Sequence, residues 1–155
     1  MVVLENSGGY PCSERIIVRA ADTILRILKI PPGWILELHL LDARKMYWLN
    51  RRFRGKNRAT TVLSFEGKEF PVGSARLLGE VFLCPKEILR ANPPSYVVAR
   101  GESSYLMYYL IHGILHLKGF THQGSLRNRF SMERAERRVF TKLFSFHESK
   151  TILRN

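Results

Sequence analysis

Hydrophobic positions along this chain change period several times, and each change marks an element. Val2, Val3 and Leu4 form a short apolar run, a first strand, followed by loop chemistry from Asn6 to Pro11. From Ser13 the period becomes helical. Ile17, Ala20, Ala21, Ile24 and Leu28 fall on one face, while Arg15, Arg19, Asp22, Arg26 and Lys29 fall on the other, with Ser13 as N-cap. Pro31, Pro32 and Gly33 stop that helix, and Trp34 to Leu41 alternates as a strand with Glu37 and His39 on one face. Nothing of ligand spacing lies near His39, so it reads as a strand surface residue. Asp42 caps a second helix to about Phe53, with Ala43, Met46, Tyr47 and Leu49 toward the core. Thr60–Phe65 and Leu77–Cys84 are two further strands, rich in β-branched and apolar residues. A glycine-bearing excursion over 66–76 separates them, and Pro85 ends the second ahead of a short helix.

After the break at Asn92-Pro-Pro-Ser95, a helix is expected from about Tyr96 or Glu102 to Lys118. Its middle, Tyr105 to Ile111, is apolar all round, which places it at the centre of the fold. Residues 123–130 read as loop. Ser131 then caps a last helix to about Phe146, with Arg134, Arg137, Arg138 and Lys142 on its exposed side. The tail after about 148 is expected to fray. No repeat or linker interrupts the pattern, so a single domain over 1–155 is expected, α/β (α+β) in class, with about four strands and about five helices.

Composition adds a partner class. The 155 residues are 45% hydrophobic with a mean hydropathy of -0.13, as in a soluble globular chain. No apolar run is long enough to span a membrane, and no signal peptide is visible at the N-terminus. Cys12 and Cys84 form no CxxC pair, which suits a reducing, cytoplasmic setting. The net charge of +12 and the pI near 10.2 point to a polyanionic partner, with RNA or DNA ahead of an anionic membrane surface.

The candidate chemistry sits at His112-Gly-Ile-Leu-His116-Leu-Lys-Gly119-Phe-Thr-His122, which holds three of the chain's five histidines. His112 and His116, four apart on a helix, share a face. Gly119 can turn the chain just after them and return His122 as a third ligand. Three neutral imidazoles and one open position are the layout of a catalytic zinc site. The same spacing occurs in the metzincin peptidases, which need Glu after the first histidine as general base. Gly113 stands there, so a peptidase would lack its base, and Glu80 is the one residue named to replace it. A fourth protein ligand, from Cys84, His39 or Glu80, would instead make the zinc structural, in an RNA-binding assembly factor without catalysis.

The histidine motif resembles the signature of the YbeY family, metal-dependent single-strand endoribonucleases and rRNA maturation factors. Leu49-Asn50, Phe53-Arg54-Gly55-Lys56 and Thr60-Thr-Val-Leu-Ser-Phe65 are similar to a second family block, and Leu78-Gly-Glu-Val-Phe-Leu-Cys84 to a third, over about residues 40 to 136. Thr121, Thr61 and Glu80 stand where the family carries Asp, Asp or Asn, and Asp. The resemblance implies a mixed sheet and one Zn2+ per chain on His112, His116 and His122. It implies catalytic roles for Arg54 and His116, in a cleft between the histidines and the second block. Arg51, Arg52, Arg54, Lys56 and Arg58 would bind the RNA strand. It also implies action in the cytoplasm on rRNA of the small ribosomal subunit, in 16S 3′-end processing or ribosome quality control. No membrane partner is expected, and a monomer is favoured.

Overall fold

The computed structural model describes residues 1–67 and 76–152, with side chains to residue 145. Apart from Glu66, Gly67 and Arg76, the expected excursion over 66–76 lies outside those residues. The strands are β1 (Val2–Glu5), β2 (Trp34–Leu40), β3 (Val62–Glu66) and β4 (Arg76–Leu83). The helices are α1 (Glu14–Ile27), α2 (Ala43–Arg54), α3 (Pro85–Arg90), α4 (Ser95–Val98), α5 (Tyr105–Leu117) and α6 (Leu126–Ile152). The sheet order is β1-β2-β4-β3; β1, β2 and β4 run parallel and β3 antiparallel, a mixed sheet of four strands.

Period-two alternation gives the sheet two unlike faces. Leu36, Leu38 and Leu40 of β2 and Val81 and Leu83 of β4 enter one core with α1, α5 and α6. The face of α1 expected to be buried, Ile17, Ala20, Ala21, Ile24 and Leu28, is buried there. On the sheet's other side, Met46 of α2 meets Leu63 and Cys84 in a second, smaller cluster. Helix α5 packs against α1, α3, α4 and α6 as well as β3 and β4, so it is the centre of the main core. It approaches the sheet closely because Gly113 has no side chain. A Cβ there would lie 2.7 Å from Val81 Cγ1, 3.0 Å from Ser64 Oγ and 3.1 Å from Val62 Cγ2.

Helix boundaries differ from the pattern in two places, and one expected cap is made by the backbone alone. The helix expected from about Tyr96 or Glu102 is broken into α4, a 3-10 turn (Glu102–Ser104) and α5. Gly101 sits at φ 86, ψ 170, a backbone state no helix contains, and that divides the segment. The last helix starts at Leu126 rather than after Ser131. Ser125 caps it, its Oγ accepting from Asn128 N–H at 3.1 Å and its carbonyl from Arg129 N–H at 3.2 Å. Leu126 and Phe130 are 69% and 59% exposed, so the first turn carries no amphipathic signal. At α1, the Ser13 carbonyl accepts from Ile16 and Ile17, while its hydroxyl makes no capping bond. Asp42 caps α2 as expected, its Oδ1 accepting from Lys45 N–H at 2.8 Å. Among the described residues no helix is long and apolar enough to cross a membrane.

Ile114 on α5 is 0% exposed. Ile114→Ala should lower unfolding free energy by about 2–5 kcal/mol. Lys142→Ala on the exposed face of α6 should stay within about 0.5 kcal/mol. Urea unfolding followed by circular dichroism measures both.

Candidate active site

The C-terminal half of α5 presents His112 and His116 on one face, and the turn after it supplies His122. Gly119, at φ 85, reverses the chain. Its N–H donates to the His116 carbonyl at 2.9 Å, and Phe120 N–H donates to Leu115 at 3.1 Å. This reversal does two things. It returns the Phe120 carbonyl to His116, and it swings the exposed His122 ring to 5.6 Å from His112 and 5.2 Å from His116, centroid to centroid. One ligand nitrogen from each of the three lies within 4.8 Å of the others.

Proton positions follow from the partners. His116 Nδ1 donates to the Phe120 carbonyl at 2.9 Å, since a carbonyl only accepts. His112 Nδ1 donates to Glu136 Oε1 at 2.6 Å. In the neutral rings both Nε2 atoms then carry lone pairs, and they face each other at 3.0 Å. Two acceptors cannot satisfy one another, whereas a cation between them satisfies both. The donor set therefore fits a metal ion. Burial pushes the His116 pKa down, and the nearby His112 imidazole works in the same direction, which favours the neutral, ligating form.

Glu136 was not legible as a site residue. It is 4% exposed, and its carboxylate also accepts from Tyr108 Oη at 3.1 Å. Burial pushes the Tyr108 phenol up, and the nearby Glu136 charge adds to this, so the hydroxyl remains a donor. The available signal lay in the stripe Met132, Ala135, Glu136, Val139, Phe140 and Leu143: a carboxylate stands among apolar residues on the buried side of α6. A buried carboxylate on a ligand's Nδ1 fixes tautomer and ring orientation.

The histidines form one wall of a cleft of about 500 Å³, which Arg54, Lys56, Arg58, Asn50, Thr61 and Ser64 also line. Arg54 closes α2, its Nη2 donating to the Ser64 carbonyl at 3.3 Å and its guanidinium carbon 5.7 Å over the Phe65 ring. Gly55, left-handed at φ 66, ends the helix. Buried Asn50 holds the following loop by donating Nδ2 to the Arg58 carbonyl at 2.7 Å. Arg51 and Arg52, expected with the others along the strand's path, are not part of the cleft lining. They lie over the rings of Trp48, at 5.6 Å, and Phe53, at 5.7 Å.

The named fourth-ligand candidates are elsewhere. Cys84 is in the cluster under α2. Val81 faces Gly113, so its neighbour Glu80 points to the opposite side of the sheet, where it meets Glu37 and His39. Among the described residues the histidine group has three members. Gly113 itself faces β3 and β4 rather than the cleft, and a glutamate there would displace the sheet. Neither Gly113 nor Glu80 therefore supplies a peptidase base. Thr121 lines the cleft and its Oγ1 accepts from Gln123 N–H at 3.1 Å, a turn-forming bond that an aspartate would also make while adding a negative charge that Thr121 lacks.

A family model described as Endoribonuclease YbeY matches residues 11–144. The chain belongs to the YbeY endoribonuclease family. The match spans Asn50, Arg54, the three histidines and Glu136. Among individual members, the Endoribonuclease YbeY of Cutibacterium acnes is 34% identical over 128 residues, 79% of this chain and 81% of that one. The Endoribonuclease YbeY of Azorhizobium caulinodans is 30% identical over 147 residues, 92% and 90% of the two chains. The solution structure of TM1509 from Thermotoga maritima has the same fold, with a TM-score of 0.58 and 22% identity over 97% of this chain and 93% of that one.

Glu136→Gln retains the shape and an acceptor but removes the charge. It should weaken divalent-metal affinity about 10–100-fold, measured by competition with a chelating indicator. Gly113→Glu should lose the near-ultraviolet dichroism of the folded state and gain no casein hydrolysis.

Proposed function

We propose that this chain is a zinc-dependent single-strand endoribonuclease acting in rRNA maturation on the small ribosomal subunit. The observation that carries the proposal is the pair of Nε2 lone pairs facing each other in the wall of a cleft that also holds Arg54. His112, His116 and His122 would hold one zinc ion, and three protein ligands rather than four favour a catalytic over a structural site. When bound, zinc supplies Lewis acidity toward a phosphate oxygen or an attacking oxygen.

The chain's own residues do the remaining work. Glu136 and the Phe120 carbonyl hold the two imidazoles in the ligating tautomer. Arg54, steadied by Ser64 and Phe65, offers a guanidinium fork that can take two phosphate oxygens and offset charge gathering on the phosphoryl group. Lys56 and Arg58, on the loop that Asn50 anchors, bind the backbone of the strand as it crosses the cleft. Arg51 and Arg52 extend that basic surface beyond the cleft along α2, beside the exposed rings of Trp48 and Phe53 on which bases can stack. The net charge of +12 supports an RNA partner. A monomer in the cytoplasm, processing the 16S 3′ end or removing defective ribosomes, completes the reading.

Cleavage of a fluorescent single-stranded RNA by the zinc-loaded protein tests this. Chelator and His116→Ala should each abolish cutting, and Arg54→Ala should slow it roughly 10²–10³-fold. Cutting by both variants at the wild-type rate would sink the proposal and point to a contaminating nuclease.

A further inference from the structure

The sheet face turned away from α5 carries a second group of metal-ligating side chains. Glu37 and His39 alternate inward-facing leucines on β2, and Glu80 precedes inward-facing Val81 on β4. Strand register sets Glu37 directly beside Glu80, and Glu5 of β1 directly beside His39. Like charges in directly paired positions repel. Three of the chain's 13 acidic residues nevertheless collect here, in a protein of net charge +12. Among the described residues, no lysine or arginine pairs with these three carboxylates, and His39 lies 3.2, 3.9 and 3.5 Å from Glu5, Glu37 and Glu80.

His39 is held as a ligand is held. Its ring stacks on Phe82 at 4.4 Å and 12°. Its Nδ1 lies 3.2 Å from Glu5 Oε2, the same imidazole–carboxylate arrangement that Glu136 makes with His112. Its Nε2 is buried and makes no hydrogen bond. That nitrogen lies 3.5 Å from Glu80 Oε1 and 3.9 Å from Glu37 Oε2. One ligand atom from each of Glu37, His39 and Glu80 falls within 4.8 Å of the others.

We propose that Glu37, His39 and Glu80 form a second divalent-cation site, with Glu5 orienting the histidine. One imidazole and two carboxylates suit zinc or manganese better than magnesium or calcium, which prefer oxygen ligands alone. The ion would cross-link β2 to β4 and neutralise the paired carboxylates. This site lies on the sheet face turned away from α5 and its histidines.

The test is equilibrium dialysis of metal-stripped full-length protein against zinc chloride, and separately manganese chloride, near neutral pH, with ions per chain read by mass spectrometry. Wild type should take up two zinc ions. His39→Ala and Glu80→Gln should each take up one, as should His116→Ala, and the His39→Ala, His116→Ala double variant none. Glu5→Gln should weaken the second ion about 10–100-fold. Glu80→Gln is nearly isosteric, so it carries the test if His39→Ala fails to fold by circular dichroism. Wild-type stoichiometry of one, lost in His116→Ala and indifferent to His39→Ala and Glu80→Gln, overturns the proposal and leaves His39 a packing and hydrogen-bonding partner only. Two ions retained in both His39→Ala and Glu80→Gln overturns it as well. Loss of an ion in His39→Ala and Glu80→Gln but not in His116→Ala upholds this site and refutes the zinc reading of the cleft.

Discussion

Helix α5 lies against β3 and β4 at a separation only a glycine permits. With Val81 Cγ1, Ser64 Oγ and Val62 Cγ2 all within 3.1 Å of where a Gly113 Cβ would stand, the helix backbone at that point rests directly on the side chains of the sheet. The neighbouring turn repeats the device in reverse, since Gly79 on β4 makes room for Leu117. The contact fixes His112 and His116 relative to β3. Strand β3 in turn fixes Arg54, because the Ser64 carbonyl accepts from the guanidinium. One short strand is thus the common wall against which the imidazoles and the arginine are placed. Both sets inherit their relative position from the close approach of α5.

The polar groups at this junction sit at the border of an apolar core, where an unpaired donor or acceptor costs about 1–3 kcal/mol. Nearly all are paired in a chain running Tyr108 to Glu136 to His112, with His116 closed by Phe120. Left without a protein donor are the Ser64 hydroxyl and the two Nε2 atoms, and the Nε2 pair is the part of the network that chemistry can use. Packing and reactivity are arranged in the same residues: the hydrogen bonds that satisfy the Nδ1 atoms also aim the other nitrogens.

The sequence discloses local relations and conceals distant ones. Histidines four apart and a glycine three further on are a geometric statement about one helix end, and the structure keeps it. The buried face of α1 was legible because a single helical period runs through it, and the burial of α5 because its middle is apolar on every side. Glu136 was hidden because its meaning depends on a contact across 24 residues, and a glutamate in an arginine-rich helix looks solvated until its neighbours on the stripe are counted. The start of α6 was hidden because its first turn is exposed on all sides, so Ser131 offered a cap as plausible by type as Ser125. The cluster at Glu37, His39 and Glu80 was invisible because strand pairing, which no local pattern encodes, brings β2 and β4 together.

The dependence of His112 on Glu136 also orders events in time. A chain made from its N-terminus has both helix histidines well before it has the carboxylate that aligns one of them. At about 5–20 residues per second, the intervening stretch takes on the order of one to five seconds to synthesise. Until α6 docks, α5 lacks one of its flanking helices and His112 lacks its fixed tautomer. An incomplete or C-terminally nicked copy therefore holds the histidine motif without an ordered centre. Competence in this fold is a property that arrives with the final helix.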